Sequence, residues 1–183
     1  MHFELCILNL IMKVYLATDH AGFDLKEEVK TFLKEEGYEV EDCGAFTADP
    51  NDDYPDLVLP AAMKVSKDPE GLGIICGGSG QGEAMAANKI KNIRCGVFYA
   101  PAAPHSAADI NGRISEDPFE MVRLLREHNN ANMLSLSGRF LQVEDACRAV
   151  KIFLETPFSE EERHKRRIGK LENDQLPMTT SRI

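Results

Sequence analysis

Glu83 follows directly on Gly77-Gly78-Ser79-Gly80-Gln81-Gly82, a run with four glycines in six residues. Glycine lets backbone approach a ligand closely and adopts positive φ without a steric penalty. Placed between an apolar strand and a helix start, such a loop aims several N–H donors at one point, and the helix dipole adds positive potential there. The point suits a group that is anionic or becomes anionic, and a carboxylate beside it is placed to move a proton. Glutamate in a first helical turn is also common for its effect on the dipole alone. The loop therefore gives Glu83 its interest, not the residue type. The G-K-[ST] ending of a P-loop and the G-x-G-x-x-G spacing of a dinucleotide site are both absent. Asp19-His20 and Arg139 are further chemically capable residues, each read at the end of a strand. Arg163 and Arg167 lie at i and i+4 within the basic run Arg163-His164-Lys165-Arg166-Arg167. They share one helix face and together suit a phosphate, although such a run also reads as a solvated helix face. His128-Asn129-Asn130 ends a helix, where the dipole favours histidine, and taken alone it reads as structural. Cys76 abuts the loop, but a buried cysteine ending a strand is most often packing.

These residues need elements to hold them. An apolar run over 72–76 supplies the strand before the loop, and 82–90 the helix after it. Upstream, Lys13–Thr18 reads as a strand ending at Asp19, 23–36 as an amphipathic helix stopped by Gly37, and 38–42 as a second strand. The polar stretch 43–55 carries Asp49-Pro50-Asn51-Asp52-Asp53 as turn chemistry. Residues 56–67 read as a helix that Pro60 kinks or delays. Downstream come a strand at 94–98, a helix at 118–128 with Asp117 as N-cap, a strand at Met133–Ser137 and a helix at Val143–Glu155. A last charged helix spans 159–172, with Ser159 and Glu162 in capping-box spacing. The stretch 99–116 is long for an α/β connection, as lids and mobile segments are. Alternating strands and helices argue a parallel sheet covered on both faces, with ligands beyond the carboxyl ends of its strands.

Composition bounds the function. The chain has 183 residues and a net charge of −9, which disfavours general nucleic-acid or anionic-membrane binding. Its five cysteines form no C-x-x-C pair, so neither a zinc site nor a disulfide framework is indicated, and reduced thiols in a cytoplasmic protein are the simplest account. The apolar residues before Lys13 are too few to span a bilayer and lack a basic start and a cleavage site. Residues 1–11 read as an extension ahead of a start at Met12, or as a docking segment. Residues 12–172 read as one domain and 173–183 as a frayed tail.

Together the motifs resemble the type B ribose-5-phosphate isomerase family, which includes the galactose-6-phosphate isomerase subunits. The matching pieces are Thr18-Asp-His-Ala-Gly22, Asp53-Tyr-Pro-Asp56, Gly77 to Lys89, Arg126-Glu-His-Asn-Asn-Ala-Asn132, Gly138-Arg139 and Arg163-His-Lys-Arg-Arg167. They run in family order over 12–172, with the stretch near 100–116 unmatched. One branch of the family carries a catalytic cysteine at the start of the loop. Alignment through Ala86-Ala87-Asn88-Lys89 puts Gly77 there, with Cys76 one residue early, so the chain resembles the branch whose base is the glutamate after the loop.

The resemblance implies a three-layer α/β/α sandwich with a five-stranded parallel, Rossmann-like sheet. It implies an aldose–ketose isomerase of a phosphorylated sugar, ribose 5-phosphate first, needing no metal or organic cofactor. His128 and Asp19 would open the sugar ring, and Glu83 would carry the proton between C2 and C1. The N–H groups of Gly77, Gly78, Gly80 and Gly82, with Ser79 and Asn129, would hold the enediolate, and Tyr54 would line the substrate. The phosphate would go to His20, Arg139, Arg163 and Arg167. Family members are dimers or tetramers, with the His128–Asn129 segment and Arg139 implied to come from the neighbouring subunit. An isomerase of a hexose 6-phosphate and a non-catalytic sugar-phosphate-binding subunit are the alternatives.

Overall fold

The computed structural model describes residues 12–172, and the expectations for 1–11 and 173–183 lie outside the described residues. In chain order the elements are β1 (Lys13–Thr18), a 3₁₀ turn (His20–Gly22), α1 (Phe23–Glu35), β2 (Glu39–Asp42), α2 (Tyr54–Val65) and β3 (Leu72–Gly77). They continue with α3 (Gln81–Ala87), β4 (Cys95–Phe98), α4 (Glu120–Asn129), β5 (Met133–Ser137), α5 (Val143–Glu155) and α6 (Glu162–Leu171). The five strands pair in the order β2-β1-β3-β5-β4, all parallel.

β3 is buried along its whole length, as expected of a central strand covered on both faces. On one face Leu16, Ile74, Leu134 and Leu136 pack with Val29 and Leu33 of α1 and Val150 and Phe153 of α5. On the other, Tyr15, Ala17, Ile75 and Met133 pack with Val58, Ala61, Ala62 and Val65 of α2 and Ala87 of α3. These two cores are the driving force for the three-layer sandwich, since each fully buried aliphatic side chain contributes about 1.5–3 kcal/mol. Pro60 sits inside α2 without ending it. No helix among the described residues is long and apolar enough to cross a membrane.

The helix after the loop spans Gln81–Ala87, shorter than the 82–90 its composition predicts. Binding power at its start therefore comes from loop N–H groups more than from a long dipole. α4 starts at Glu120, two residues beyond the predicted start, and Asp117 accepts the Phe119 N–H at 3.1 Å just ahead of it. α6 starts at Glu162, not Ser159: Glu160 has a φ of 58°, outside helical space, and the Ser159 hydroxyl is bonded to His164 Nδ1 at 2.9 Å. The capping-box reading there is overturned, because the His164 ring, five residues on, takes the serine hydroxyl.

One buried charge shapes the loop before α2. Lys26 of α1 is fully buried, and its Nζ donates to both Asp42 oxygens at 3.1 and 2.9 Å and to Ala45 O at 2.8 Å. Thr18 and Ala45 exchange further backbone bonds with this stretch, Thr18 N to Gly44 O at 2.8 Å and Ala45 N to Thr18 O at 2.9 Å. The loop leaving β2 is thereby tied to the carboxyl end of β1, where Asp19 and His20 stand.

Candidate active site

The glycine loop leaves the carboxyl end of β3 and is held by the neighbouring β5. Ser135 Oγ donates to Gly80 O at 2.7 Å, Ser137 Oγ to Gly78 O at 3.3 Å, Gly138 N to Gly77 O at 2.8 Å and Arg139 N to Gly78 O at 3.1 Å. Gly80 turns the chain at φ 75°, and a β-carbon there would meet Ser135 Oγ at 2.9 Å. Fixing the carbonyls on one side leaves the amides on the other. The N–H groups of Gly78, Ser79 and Gly80 find no acceptor among the described residues. Ser79 Oγ accepts the Gln81 N–H at 3.3 Å, which leaves its hydroxyl hydrogen to donate elsewhere.

Glu83 lies over this loop. A β-carbon built on Gly77 would overlap the Glu83 carboxylate, so the carboxylate fills the space a side chain at 77 would take. Glu83 is 5% exposed and pairs with no cation among the described residues. Burial raises its pKa, a bond from its own backbone N–H lowers it, and Asp19 raises it further. Asp19, also buried, accepts the Ala21 and Gly22 N–H groups at 3.0 and 3.2 Å and so caps the 3₁₀ turn. Tyr54, at the start of α2, packs its ring on Gly82: a β-carbon there would lie 2.9 Å from Cζ. Arg139 lies over Gly78, where a β-carbon would be 3.4 Å from the guanidinium. Arg139 thus stands on this chain's own loop, which corrects the expectation that it comes from a neighbour. Burial pushes the Cys76 thiol far up, consistent with a packing role.

His20 completes this end, and here the sequence reading passed over a partner. Asp52 accepts the His20 backbone N–H at 2.8 Å and contacts His20 Nδ1 at 2.6 Å. It sits among five turn-forming residues, and no spacing rule separates it from Asp49 or Asp53. Asp19, His20 and Asp52 bring ligand-capable atoms within 4.8 Å of one another. The His20–Asp52 hydrogen bonds already account for the closeness of two of the three.

The remaining predicted residues are elsewhere. α4 runs back against the strands, so His128 and Asn129 emerge at the amino end of the sheet, where Asn129 O accepts from Arg94 Nε at 2.9 Å just ahead of β4. Four residue steps along the strand separate Gly73, level with Met133, from Gly77, level with Ser137. At about 3.3 Å per residue that is roughly 13 Å of strand, before the loop to Glu83 is added. His128 packs its ring against the buried His164, with centroids 4.2 Å apart, and α6 brings Arg163 to the same place. Burial lowers the His128 pKa, and His164 and Arg163 lower it further. Arg163 pairs with Glu161 at 2.7 Å, and Arg167 is exposed. One chain therefore divides the predicted set. Asp19, His20, Tyr54, the loop, Glu83 and Arg139 stand at the carboxyl edge, with His128, Asn129, Arg163 and Arg167 away from it. The four predicted phosphate ligands are split two and two.

The 99–116 segment folds against the second group. Arg113 pairs with Glu127 at 2.7 Å, with Glu120 at 2.8 Å and with Asp109 at 3.6 Å, so it is anchored on α4 one residue from His128.

A carboxylate that burial makes more basic, beside a loop of free amides at the carboxyl edge of a parallel α/β sheet, suits acid–base chemistry on a substrate that turns anionic. The Ribose/Galactose Isomerase family model matches residues 14–113 and 116–171, which corrects the reading of 100–116 as unmatched, and the chain belongs to that family of sugar-phosphate aldose–ketose isomerases. Ribose-5-phosphate isomerase B of Mycolicibacterium paratuberculosis is 41% identical over 157 residues, covering 86% of this chain and 87% of that protein. Among solved structures, ribose 5-phosphate isomerase from Thermotoga maritima matches with a TM-score of 0.74 and 37% identity, over 88% of this chain and 97% of that one. Ribose-5-phosphate isomerase B from Mycoplasma genitalium, with bound ribulose-5-phosphate, matches with a TM-score of 0.75 and 34% identity, over 88% and 94%.

Proposed function

We propose that this chain interconverts D-ribose 5-phosphate and D-ribulose 5-phosphate through a cis-enediolate, with Glu83 as the base. The observation that carries the reading is the buried Glu83 carboxylate, free of any cation among the described residues, lying over Gly77 beside the free amides of Gly78 to Gly80. A base works best when its pKa lies near the working pH, and burial moves Glu83 in that direction. Glu83 takes the C2 proton of the open-chain aldehyde, and the electrons settle on the C1 oxygen. The loop amides and the Ser79 hydroxyl face that developing charge, and one such donor is worth about 10²–10³ in rate in related anion holes. The O2 proton passes to the C1 oxygen, and Glu83 returns the carbon-bound proton to C1 as C2 becomes the ketone. The overlap of the Glu83 carboxylate with the place of a side chain at 77 supports the glutamate over a cysteine as base.

In this reading His128 and Asp19 pass protons during ring opening, while His20, Arg139, Arg163 and Arg167 hold the phosphate. No single chain gathers these groups, so the working enzyme is a dimer, or a tetramer, in which His128, Asn129, Arg163 and Arg167 serve the partner's Glu83. The setting is cytoplasmic, and no metal or organic cofactor enters the steps.

Proton NMR of ribose 5-phosphate with the protein in D₂O tests the proposal. Ribulose 5-phosphate carrying carbon-bound deuterium is the expected product, and absence of turnover by an intact oligomer overturns it. A six-carbon sugar phosphate is the alternative substrate, which the ratio of kcat/KM values separates.

A further inference from the structure

Asp52 touches no part of the loop or the base, yet it makes two bonds to one residue. Its Oδ2 accepts the His20 backbone N–H at 2.8 Å and its Oδ1 lies 2.6 Å from His20 Nδ1. The Asp52 side chain is 13% exposed and the His20 side chain 30%, so the imidazole has one edge closed by the carboxylate and is partly open to solvent. A carboxylate at Nδ1 requires a proton there, which fixes the tautomer and leaves Nε2 as the outward nitrogen. With the ring neutral, Nε2 is an acceptor, and with the ring charged it is a donor. Only the charged ring suits an anion.

We propose that Asp52 is a positioning residue that holds His20 as an oriented cation, so that its Nε2–H donates to the phosphate of the substrate. The inference rests on the assignment of His20 as a phosphate contact and names the residue that makes that contact effective. The charged groups facing His20 are Asp52 ahead of α2, Asp19 at the end of β1 and Arg139 after β5. The Asp52 hydrogen bond raises the pKa of His20 and Asp19 raises it further, while partial burial and Arg139 lower it; the net direction is up. The anchor reaches further back: Lys26 ties Asp42 and Ala45 to α1, and this same loop, tied to the end of β1, delivers Asp52.

The Asp52→Asn variant keeps the shape and removes the charge. Inhibition by inorganic phosphate and the KM for ribose 5-phosphate are read at about pH 6 and about pH 8, on either side of the ordinary histidine value. Phosphate affinity is expected to fall roughly 10-fold at the higher pH and clearly less at the lower, with KM following and kcat changing much less. In a His20→Gln background the Asp52→Asn change should add nothing. An equal loss at both pH values, or none, overturns the proposal, because a purely structural aspartate would show no such pH dependence. Should the variant fold poorly, ¹⁵N NMR of the wild-type His20 ring decides: titration at or below the ordinary histidine value, or a proton resident on Nε2 alone in the neutral ring, overturns it. Unchanged phosphate affinity in His20→Gln alone would instead remove the assignment of His20, and the proposal with it.

Discussion

His20 and His128 stand apart in the chain's two groups of site residues, and their surroundings push them in opposite directions. Asp52 holds His20 by two bonds and favours its charged form. His128 is packed against His164 with Arg163 nearby, and burial and both neighbours favour its neutral form. The sites differ in kind as well. Around His20 the polar groups are mostly fixed by their own bonds, and the free donors are backbone amides. Around His128 the fixed partners are long side chains on α4 and α6. The carboxyl edge sets fixed charges beside a buried carboxylate, and the α4–α6 corner holds an imidazole kept toward its neutral form.

The comparison breaks first at the base. Glu83→Gln should lower kcat by roughly 10³-fold while leaving sugar-phosphate binding nearly intact, as isothermal titration would show. An active variant would move the chemistry away from the carboxyl edge altogether. Gly77→Ala asks whether position matters as much as identity: its methyl would displace the Glu83 carboxylate and should cost on the order of 10² in kcat with little loss of thermal stability. Mixing inactive Glu83→Gln chains with inactive His128→Asn chains sharpens the link between the two edges. If each site takes one group from each subunit, random pairing restores about a quarter of wild-type activity, and sites confined to one chain restore none.

The opposite pKa directions predict opposite responses to pH. His128 binds its proton less well folded than unfolded, so its effect on stability is absent well above the ordinary histidine value and becomes destabilising as pH falls through it. The melting temperature of wild type should therefore drop, relative to His128→Asn, on acidification through that range. His20, raised when folded, contributes stability below the ordinary value and loses it as pH rises through its elevated one. The smallest effect is expected at Ser135→Ala, which removes the buried hydrogen bond to Gly80 O and should cost about 1 kcal/mol, read by denaturant unfolding, together with a few-fold loss in kcat.

Much of the architecture was legible because local rules and tertiary packing agree. β5 and α5 fall where periodicity places them, Met133–Ser137 and Val143–Glu155. Legibility failed where a side chain's partner lies outside the pattern its spacing suggests. Ser159 has the spacing of a capping box, but its hydroxyl is bonded to His164, so α6 begins three residues later. Asp52 was hidden among turn formers because its importance lies in a bond across 32 residues. His164 was read only as part of a basic run, and nothing in that run foretells a buried ring against His128. The glycine loop was legible because its chemistry is carried by backbone, which composition reports directly. The placement of Arg139 on its own chain's loop was not, since it depends on β5 lying next to β3 in the sheet.

The shared space between Gly77 and the Glu83 carboxylate has a consequence for descent. With Glu83 as the base, a side chain arriving at 77 displaces the carboxylate unless position 83 has already changed, and a change at 83 made first removes the base. The two positions would then be coupled in descent, each change costly alone and tolerated only together with the other.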